Sequence, residues 1–276
     1  MSPLSDPSDP SDPSDPAPFT LLPGDPASPV LLHVPHAARD IPPEVRAGIV
    51  LDDRALEREL DHLTDAHTDR IAAGAAALAG VTPWRFVNRL SRLVVDPERF
   101  PDEREEMLAA GMGAVYTRTT HRAVLRPADT DPGPLVERYF RPYARAVREA
   151  VADRLAATGR AVVVDVHSYP TAALPYELHG DGPRPPVCLG TDAFHTPPEL
   201  LAAAQEAFSG FGGTGLDTPF AGTYVPLAYY GRDPRVSALM VEIRRDTYMT
   251  EPGGPATEGL ERLARALAAL VDAVPV

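Results

Sequence analysis

Two apolar runs of the chain each end close to a histidine, and these histidines are the first candidates for chemistry. Residues 161–164 are apolar and lead to His167, while residues 29–34 form a largely apolar run with His33 inside it and His36 just beyond it. A histidine at a strand end can simply cap the strand through backbone hydrogen bonds, or it can bind a metal ion or move protons. Because the pattern occurs twice, we expect His36 and His167 to belong to a site and His33 to pack within the sheet.

An acidic stretch supplies a third candidate ligand, Asp61 or Asp65. Apolar residues spaced three or four apart predict one helix over 51–78, with His67 on its apolar stripe in the core or the cleft wall and Asp65 off the stripe. If Thr64 instead caps the start of a new helix, Asp65 lies in the first turn and can project toward neighbouring strand ends. The sequence leaves both arrangements open.

Two histidines and one carboxylate can form the ligand set of a hydrolytic zinc site. Such sites take three protein ligands and leave a fourth position for water, which the metal activates near neutral pH. His36, His167 and one acid from residues 61–65 would supply this set. Glu242 lies inside an apolar run, 236–244, where an unpaired charge is costly. Burial would raise the pKa of this carboxyl toward the range of a useful general base.

Three arginines lie close together in the sequence and suggest carboxylate binding. A guanidinium can hold a carboxylate through two parallel hydrogen bonds, so Arg89, Arg92 and Arg99 could bind an acidic substrate. One of them would also polarise the scissile carbonyl or stabilise the oxyanion. The alternative is that they are surface arginines paired with the acids within residues 96–102.

An α/β scaffold is needed to bring these residues together. Apolar and β-branched runs predict strands over 30–34, 81–87, 161–166, 187–189, 218–225 and 236–244. Helical periodicity predicts helices over 51–78, 135–158, 198–208 and 257–271. Residues 111–134 are expected to be irregular, and long enough to form a lid, and residues 210–215 a flexible loop. In an open α/β sheet ligands bind beyond the carboxyl ends of the strands, which is where His36 and His167 fall.

Composition limits the classes of protein to consider. With 276 residues and 44% hydrophobic residues, the chain can form one large domain, which we place at residues 19–276. The four Ser-Asp-Pro repeats before it predict a disordered tail, residues 1–18.

A net charge of −13 disfavours nucleic acid and membrane surfaces as partners. Cys188, the single cysteine, excludes an intramolecular disulfide and is expected to be buried. Without a leader or a long apolar run, we predict a cytoplasmic protein.

A set of short motifs in order along the chain resembles the N-formylglutamate amidohydrolase family. The motifs are Val34-Pro35-His36-Ala37, Thr64-Asp65-Ala66-His67, residues 91–99, Asp165-Val166-His167-Ser168 and Val241-Glu242-Ile243. The resemblance implies a three-layer α/β/α sandwich around a mixed, mostly parallel sheet of the zinc-carboxypeptidase type. It also implies a divalent metal, with zinc expected, held by His36, Asp65 and His167, and Glu242 as the general base. By this analogy Asp65, and not Asp61, is the acid ligand.

The resemblance also implies the reaction. We expect hydrolysis of a small acidic N-acyl amino acid such as N-formylglutamate by metal-activated water, with Arg92 in catalysis and Arg92, Arg99, Ser168 and Tyr224 contacting the substrate. Where the family has a lysine in a Phe-Lys-Gly-Gly segment, this chain has Ala221, so one candidate for gripping a dicarboxylate is missing. The alternatives are a carboxypeptidase-like amide hydrolase and a non-catalytic relative that binds a small acidic ligand.

Overall fold

A mixed sheet of seven strands runs through the part of the chain that the computed structural model describes, residues 18–178, 180 and 182–276. The strands are β1 (Phe19–Leu22), β2 (Val30–Val34), β3 (Trp84–Asn88), β4 (Ala161–Tyr169), β5 (Val187–Gly190), β6 (Thr214–Leu216) and β7 (Val236–Arg244). Their order across the sheet is β1-β3-β2-β4-β7-β5-β6. Apart from Pro18, the predicted tail lies outside the described residues, and the division into a tail and one domain stays a prediction.

The three central strands, β2, β4 and β7, run parallel and carry the candidate site residues. β2 and β4 are buried along their whole length, as their apolar and β-branched sequences require of strands covered on both faces. His33 lies in register with Asp165, and His167 with Glu242. Paired residues on neighbouring parallel strands project to the same face, so the register brings these two pairs together. The pairs β1–β3 and β5–β7 are antiparallel.

Helices cover both faces of the sheet. They are α1 (Pro43–Arg46), α2 (Asp53–Leu63), α3 (Thr68–Leu78), α4 (Gly133–Leu135), α5 (Arg141–Thr158), α6 (Pro198–Ala207) and α7 (Gly259–Ala273), with a π-helical turn at Val136–Phe140 between α4 and α5. On one face α3, α6 and α7 pack over the sheet, where Ile71 and Leu267 share a core with Val164. On the other face α5 places Val147 against Val163. These layers confirm the predicted three-layer α/β/α sandwich.

Three predicted elements differ from the structure. The single helix over 51–78 is wrong, because the chain leaves α2 at Thr64 and starts α3 at Thr68. The strand over 218–225 is also wrong, since Pro219 has no backbone N–H to donate and Gly222 has φ +85°, which a ladder does not accept. The predicted flexible loop 210–215 instead contributes to β6, which pairs with β5.

The irregular segment over 111–134 is packed and does not form a loose lid. Met112, Tyr116 and Leu125 within it are almost completely buried and belong to the core under α2. The guanidinium of Arg126 is also buried and donates a hydrogen bond to the carbonyl oxygen of Tyr116 at 2.7 Å. This segment is therefore part of the core, and it places the hydroxyl of Tyr116 against Arg92 and Asp96. Among the described residues, no helix combines the length and the apolar character needed to cross a bilayer.

Candidate active site

A cleft of about 1340 Å³ opens beyond the carboxyl ends of the three central strands. His36 reaches it from the residues after β2, His167 from the end of β4 and Glu242 from β7. This is the position at which open α/β sheets bind ligands. Four buried side-chain polar atoms in the described part of the chain lack a hydrogen-bond partner: Glu98 Oε1, His167 Nε2, Thr223 Oγ1 and Glu242 Oε2. All four belong to residues lining this cleft, which is therefore the place where a ligand would complete the structure.

Asp65 reaches the cleft because the chain breaks between α2 and α3. Thr64 ends α2 in an extended conformation, and the backbone N–H of Asp65 donates to the carbonyl oxygen of His36 at 3.0 Å. Both the backbone and the hydroxyl of Thr68 donate to the carbonyl oxygen of Asp65, which fixes the turn. Asp65 thus lies in the connection and not in the first turn of a helix capped by Thr64. The sequence alternative with two helices is confirmed in that the helix is interrupted at Thr64. It is wrong in that Thr64 does not cap the second helix, which begins at Thr68.

His67 does not lie on a buried helical stripe. It precedes α3 with φ +67°, is partly exposed, and its Nε2 lies 3.1 Å from the carbonyl oxygen of Gly254. The periodic spacing that placed it in the core is interrupted by the turn at Asp65. Its role is to fix the start of α3 against a distant loop.

Three potential ligand atoms meet in the cleft. His36 Nδ1 lies 3.2 Å from His167 Nδ1 and 3.7 Å from Asp65 Oδ2, and His167 Nδ1 lies 3.2 Å from Asp65 Oδ2. Ligands about 2.1 Å from a tetrahedral ion lie roughly 3.4 Å apart, so the three separations suit a metal ion between these atoms. The described residues therefore form a group that could hold a metal ion.

The opposite ring nitrogens face carboxylates, and this determines which nitrogens are free. His36 Nε2 donates to Asp96 Oδ1 at 2.9 Å. His167 Nε2 lies 3.0 Å from Asp165 Oδ2 and 3.2 Å from Glu98 Oε2, without an aligned hydrogen bond to either. Since carboxylates only accept, His36 Nε2 carries a proton and leaves the Nδ1 lone pair for a metal. His167 Nδ1 lies within hydrogen-bond distance of Asp65 Oδ2 and would give up any proton there to a metal ion. Facing lone pairs at 3.2 Å would repel each other unless a cation or a proton lay between them.

The charges of the site also favour a cation. Burial and Arg92 lower the pKa of His36, but Asp96 and Asp65 more than offset them, so the pKa is raised. Burial alone would raise the pKa of Asp65, yet hydrogen bonds with His167 and His36 and the charge of Arg245 lower it. Asp65 therefore remains a carboxylate, and the acids that stabilise charged imidazoles would stabilise a metal ion in the same way.

Glu242 is a buried carboxyl beside this group. It is 7% exposed, and its Oε2 has no hydrogen-bond partner among the described residues. Burial raises the pKa of Glu242 to about 7, with Asp65 adding to the effect and His167 and Arg245 opposing it. A carboxyl with this pKa can take up and release a proton near neutral pH.

Arg245 is a functional candidate that the sequence analysis missed. Its buried guanidinium donates to Asp65 Oδ1 at 3.0 Å and to Ser168 Oγ at 3.2 Å. It also donates to the carbonyl oxygen of His62 at 2.5 Å, which ties the end of α2 to the end of β7. The sequence signal for this residue is the pair Arg244-Arg245 at the end of the apolar run that holds Glu242. Arg245 thus orients Asp65 from the side opposite the candidate ligand oxygen.

The arginine cluster divides between the cleft and the surface. Arg92 and Arg99 line the cleft, whereas Arg89 is exposed outside it. Arg92 donates to Asp96 Oδ2 through both Nε, at 3.1 Å, and Nη2, at 2.6 Å. Arg99 Nε lies 3.6 Å from the same oxygen, and Arg99 Nη1 lies 3.5 Å from Glu105. The two arginines are therefore paired with an acid, but as part of the cleft wall and not on the surface.

Ser168 and Tyr224 line the cleft as well. Ser168 accepts the hydrogen bond from Arg245, so its hydroxyl is already engaged with the group that orients Asp65. The ring of Tyr224 lies 4.8 Å from that of His33, which is completely buried in the sheet as expected. Cys188 is buried as expected, and burial raises the pKa of its thiol to about 11, which makes it a poor nucleophile.

Comparison with known proteins agrees with this site and fold. The family model described as N-formylglutamate amidohydrolase matches residues 28–249. A Pseudomonas aeruginosa N-formylglutamate deformylase is 28% identical over 81% of this chain and 83% of its own length. The Pseudomonas putida N-formylglutamate deformylase is 26% identical over 81% of this chain and 82% of its own.

Two solved structures share the fold. The N-formylglutamate amidohydrolase from Ralstonia eutropha has a TM-score of 0.78 and 26% identity over 93% of this chain and 96% of its own. An Agrobacterium tumefaciens gene product has a TM-score of 0.66 and 19% identity over 93% of this chain and 94% of its own. Because the family model spans six of the seven strands, the cleft and all the candidate site residues, the chain belongs to the N-formylglutamate amidohydrolase family, whose members are hydrolases acting on an amide.

Proposed function

We propose that this protein is a metal-dependent amidohydrolase that removes the formyl group from a small acidic N-formyl amino acid, with N-formylglutamate as the first candidate substrate. The observation that carries the proposal is the convergence of His36 Nδ1, His167 Nδ1 and Asp65 Oδ2 beside the unpaired carboxyl of Glu242 in one cleft. The names of the two Pseudomonas relatives and the Ralstonia structure support the choice of substrate.

His36, Asp65 and His167 would hold the ion, with zinc as the first candidate for a ligand set of two imidazoles and one carboxylate. When bound, such an ion lowers the pKa of water and polarises the substrate carbonyl. Asp96 orients the ring of His36, and Arg245 orients the carboxylate of Asp65. Partners of this kind fix ligand geometry, and removing one typically weakens metal binding by about 10- to 100-fold.

Glu242 supplies the proton transfers. In its deprotonated form it accepts a proton from the attacking water, and in its protonated form it donates to the amine that leaves. A pKa of about 7 makes both directions accessible near neutral pH. Its unpaired Oε2 is available for this task, since no hydrogen bond within the described residues holds it in another orientation.

Arg92 and Arg99 give the cleft wall an affinity for anions. Arg92 is paired with Asp96, and Arg99 lies near both Asp96 and Glu105, so the two guanidiniums are held in the wall by two carboxylates. Arg92 Nη1 makes none of the hydrogen bonds found among the described residues and can donate to a substrate carboxylate. Tyr224 and Ser168 border the same cleft and offer hydroxyl contacts. A substrate with one or two carboxylates suits this wall.

The test combines metal content with a substrate screen. Protein purified without added metal is analysed for bound transition metals, and N-formyl and N-acetyl derivatives of glutamate, aspartate, glutamine and leucine are assayed for release of free amine. We expect metal-dependent turnover that is highest for N-formylglutamate and is abolished by Asp65→Asn together with metal loss. Turnover that survives removal of all metal would refute the mechanism, and equal rates for the leucine and glutamate derivatives would refute the role of the arginines.

A further inference from the structure

A second group of potential metal ligands lies behind the first, on the side that the Nε2 atom of His167 faces. It consists of His33, Glu98 and Asp165, whose ligand atoms all lie within 4.8 Å of one another. His33 Nδ1 lies 2.9 Å from Asp165 Oδ1 and 3.5 Å from Glu98 Oε1. These separations are close to the roughly 3.4 Å expected between ligands of a tetrahedral ion. None of the three residues belongs to the group formed by His36, Asp65 and His167.

The two carboxylates of this group are buried without an arginine partner. The side chains of Asp165 and Glu98 are 2% and 14% exposed, and within the described part of the chain their ion-pair contacts are all with histidines. The nearby arginines Arg92 and Arg99 are engaged with Asp96. Burying two carboxylates side by side costs several kcal/mol for each ion unless positive charge compensates them.

Glu98 keeps an unsatisfied oxygen despite its contacts with histidines. Its Oε1 is buried and has no hydrogen-bond partner among the described residues. Native proteins rarely leave buried polar atoms unpaired unless water, an ion or a ligand satisfies them. Since the side chain of Glu98 also borders the cleft, an ion could enter from there.

His33 is oriented as a metal-binding histidine would be. Its Nε2 lies 2.6 Å from the hydroxyl of Tyr143, and the ring of Tyr224 lies 4.8 Å from the imidazole. In the metal-free protein His33 Nδ1 donates to Asp165 Oδ1 at 2.9 Å, and the Tyr143 hydroxyl donates to Nε2. A divalent cation would replace the Nδ1 proton, and Nε2 would then donate to Tyr143. A partner on the second ring nitrogen is the usual companion of a ligating histidine.

We propose that His33, Glu98 and Asp165 form a second divalent-cation site that takes an ion of mixed imidazole and carboxylate preference, of the Zn²⁺ or Mn²⁺ class. The ion balances the two carboxylates and fixes Asp165, whose other oxygen faces His167. The site is independent of the substrate and does not require that the protein hydrolyse an amide.

The experiment counts ions on the full chain. Protein stripped with a chelator is equilibrated with Zn²⁺ alone or Mn²⁺ alone, freed of excess ion and analysed for metal per chain, and isothermal titration measures the separate binding steps. We expect two ions per chain for the wild type and one for Glu98→Gln. In this variant, binding of the ion at the second site should be weakened at least about tenfold. Asp65→Asn should also bind one ion, since it loses the first site and keeps the second. Glu106→Gln, which changes an exposed glutamate on the same cleft wall, is the matched control and should bind two.

The outcomes separate the two proposals. One ion in the wild type that is lost in Asp65→Asn and kept in Glu98→Gln overturns the second site and leaves the proposed function standing. One ion that is kept in Asp65→Asn and lost in Glu98→Gln overturns the metal mechanism instead. Glu98→Gln that still binds two ions also overturns the second site. Circular dichroism establishes that each variant is folded, and His33→Gln, which removes another ligand of the second site, replaces Glu98→Gln if that variant fails to fold.

Discussion

Replacing Glu242 by glutamine should abolish turnover and, at the same time, make the metal-free protein more stable at alkaline pH. The carboxyl is buried and unpaired at Oε2, and burial raises its pKa from 4.5 to about 7. The folded state therefore binds this proton more tightly than the unfolded state does. Below the unfolded-state pKa of 4.5 the carboxyl is protonated in both states, and its burial carries no electrostatic penalty. As the pH rises from there through about 7, the free energy of unfolding falls, because the carboxyl ionises less readily in the folded state. The charge that would serve catalysis is thus costly to the fold.

The magnitude follows from the two pKa values. A tenfold change in proton affinity corresponds to about 1.4 kcal/mol, so a pKa of about 7 against 4.5 penalises the fully deprotonated folded state by about 3 kcal/mol. About 2 kcal/mol of this penalty develops between pH 5.5 and pH 8.5. Glutamine has nearly the same shape and never ionises. The advantage of the variant over the wild type should therefore grow by about 2 kcal/mol across that interval.

Chemical denaturation in the presence of a chelator measures this difference. The free energy of unfolding of wild type and Glu242→Gln is determined at pH 5.5 and pH 8.5, so that the effects of all other titrating groups cancel between the two proteins. Glu206→Gln, at an exposed position in α6, is the control and should show no pH-dependent gain. If the gain of Glu242→Gln is the same at both pH values, the carboxyl is not held near pKa 7 and the reasoning for its role as general base fails.

Four further predictions test the site. The value of kcat/KM should fall about tenfold per pH unit below the pKa of Glu242, which is about 7 without metal and is lowered by a bound cation, because Glu242 must be deprotonated to accept a proton. A profile without an acidic limb would exclude this role. Arg245→Ala should weaken metal binding by about 10- to 100-fold in a titration because Asp65 loses its orienting partner, and Arg245→Lys should recover only part of it. Arg92→Ala should raise KM for N-formylglutamate at least about tenfold, and unaltered KM would contradict the anion-binding wall. Cys188→Ala should leave kcat and KM unchanged and the native thiol should resist alkylation at pH 8, since it is buried with a pKa of about 11.

The sequence was sufficient to predict the strands that carry the histidines. β2, β4 and β7 lie in the centre of the sheet, where both faces are covered, so each needs an uninterrupted apolar run. A polar residue within or just after such a run is conspicuous, and His36, His167 and Glu242 were found in this way. For these three residues the local sequence is sufficient, because the central place of each strand in the sheet is what requires the apolar run.

Asp65 could not be placed from the sequence because its position depends on a distant strand. The apolar spacing from α2 into α3 is nearly continuous, so periodicity alone predicts one helix. The helix ends where the N–H of Asp65 bonds to the carbonyl oxygen of His36, a contact between residues far apart in the chain. A tertiary hydrogen bond of this kind has no local signal. Only the resemblance to a family distinguished Asp65 from Asp61.

The two interpretations of the arginine cluster are not the exclusive alternatives that the sequence suggested. Arg92 and Arg99 are paired with Asp96 but lie in the cleft wall, and their contact with a substrate stays a prediction. The buried carboxylate of Asp96 accepts from Arg92 through Oδ2 and from His36 through Oδ1. The residue proposed to bind substrate and the residue proposed to bind metal therefore share one carboxylate. Without Arg92, less positive charge would surround Asp96, and this carboxylate would interact more strongly with the imidazole of His36. Arg92→Ala should therefore change metal affinity as well as KM.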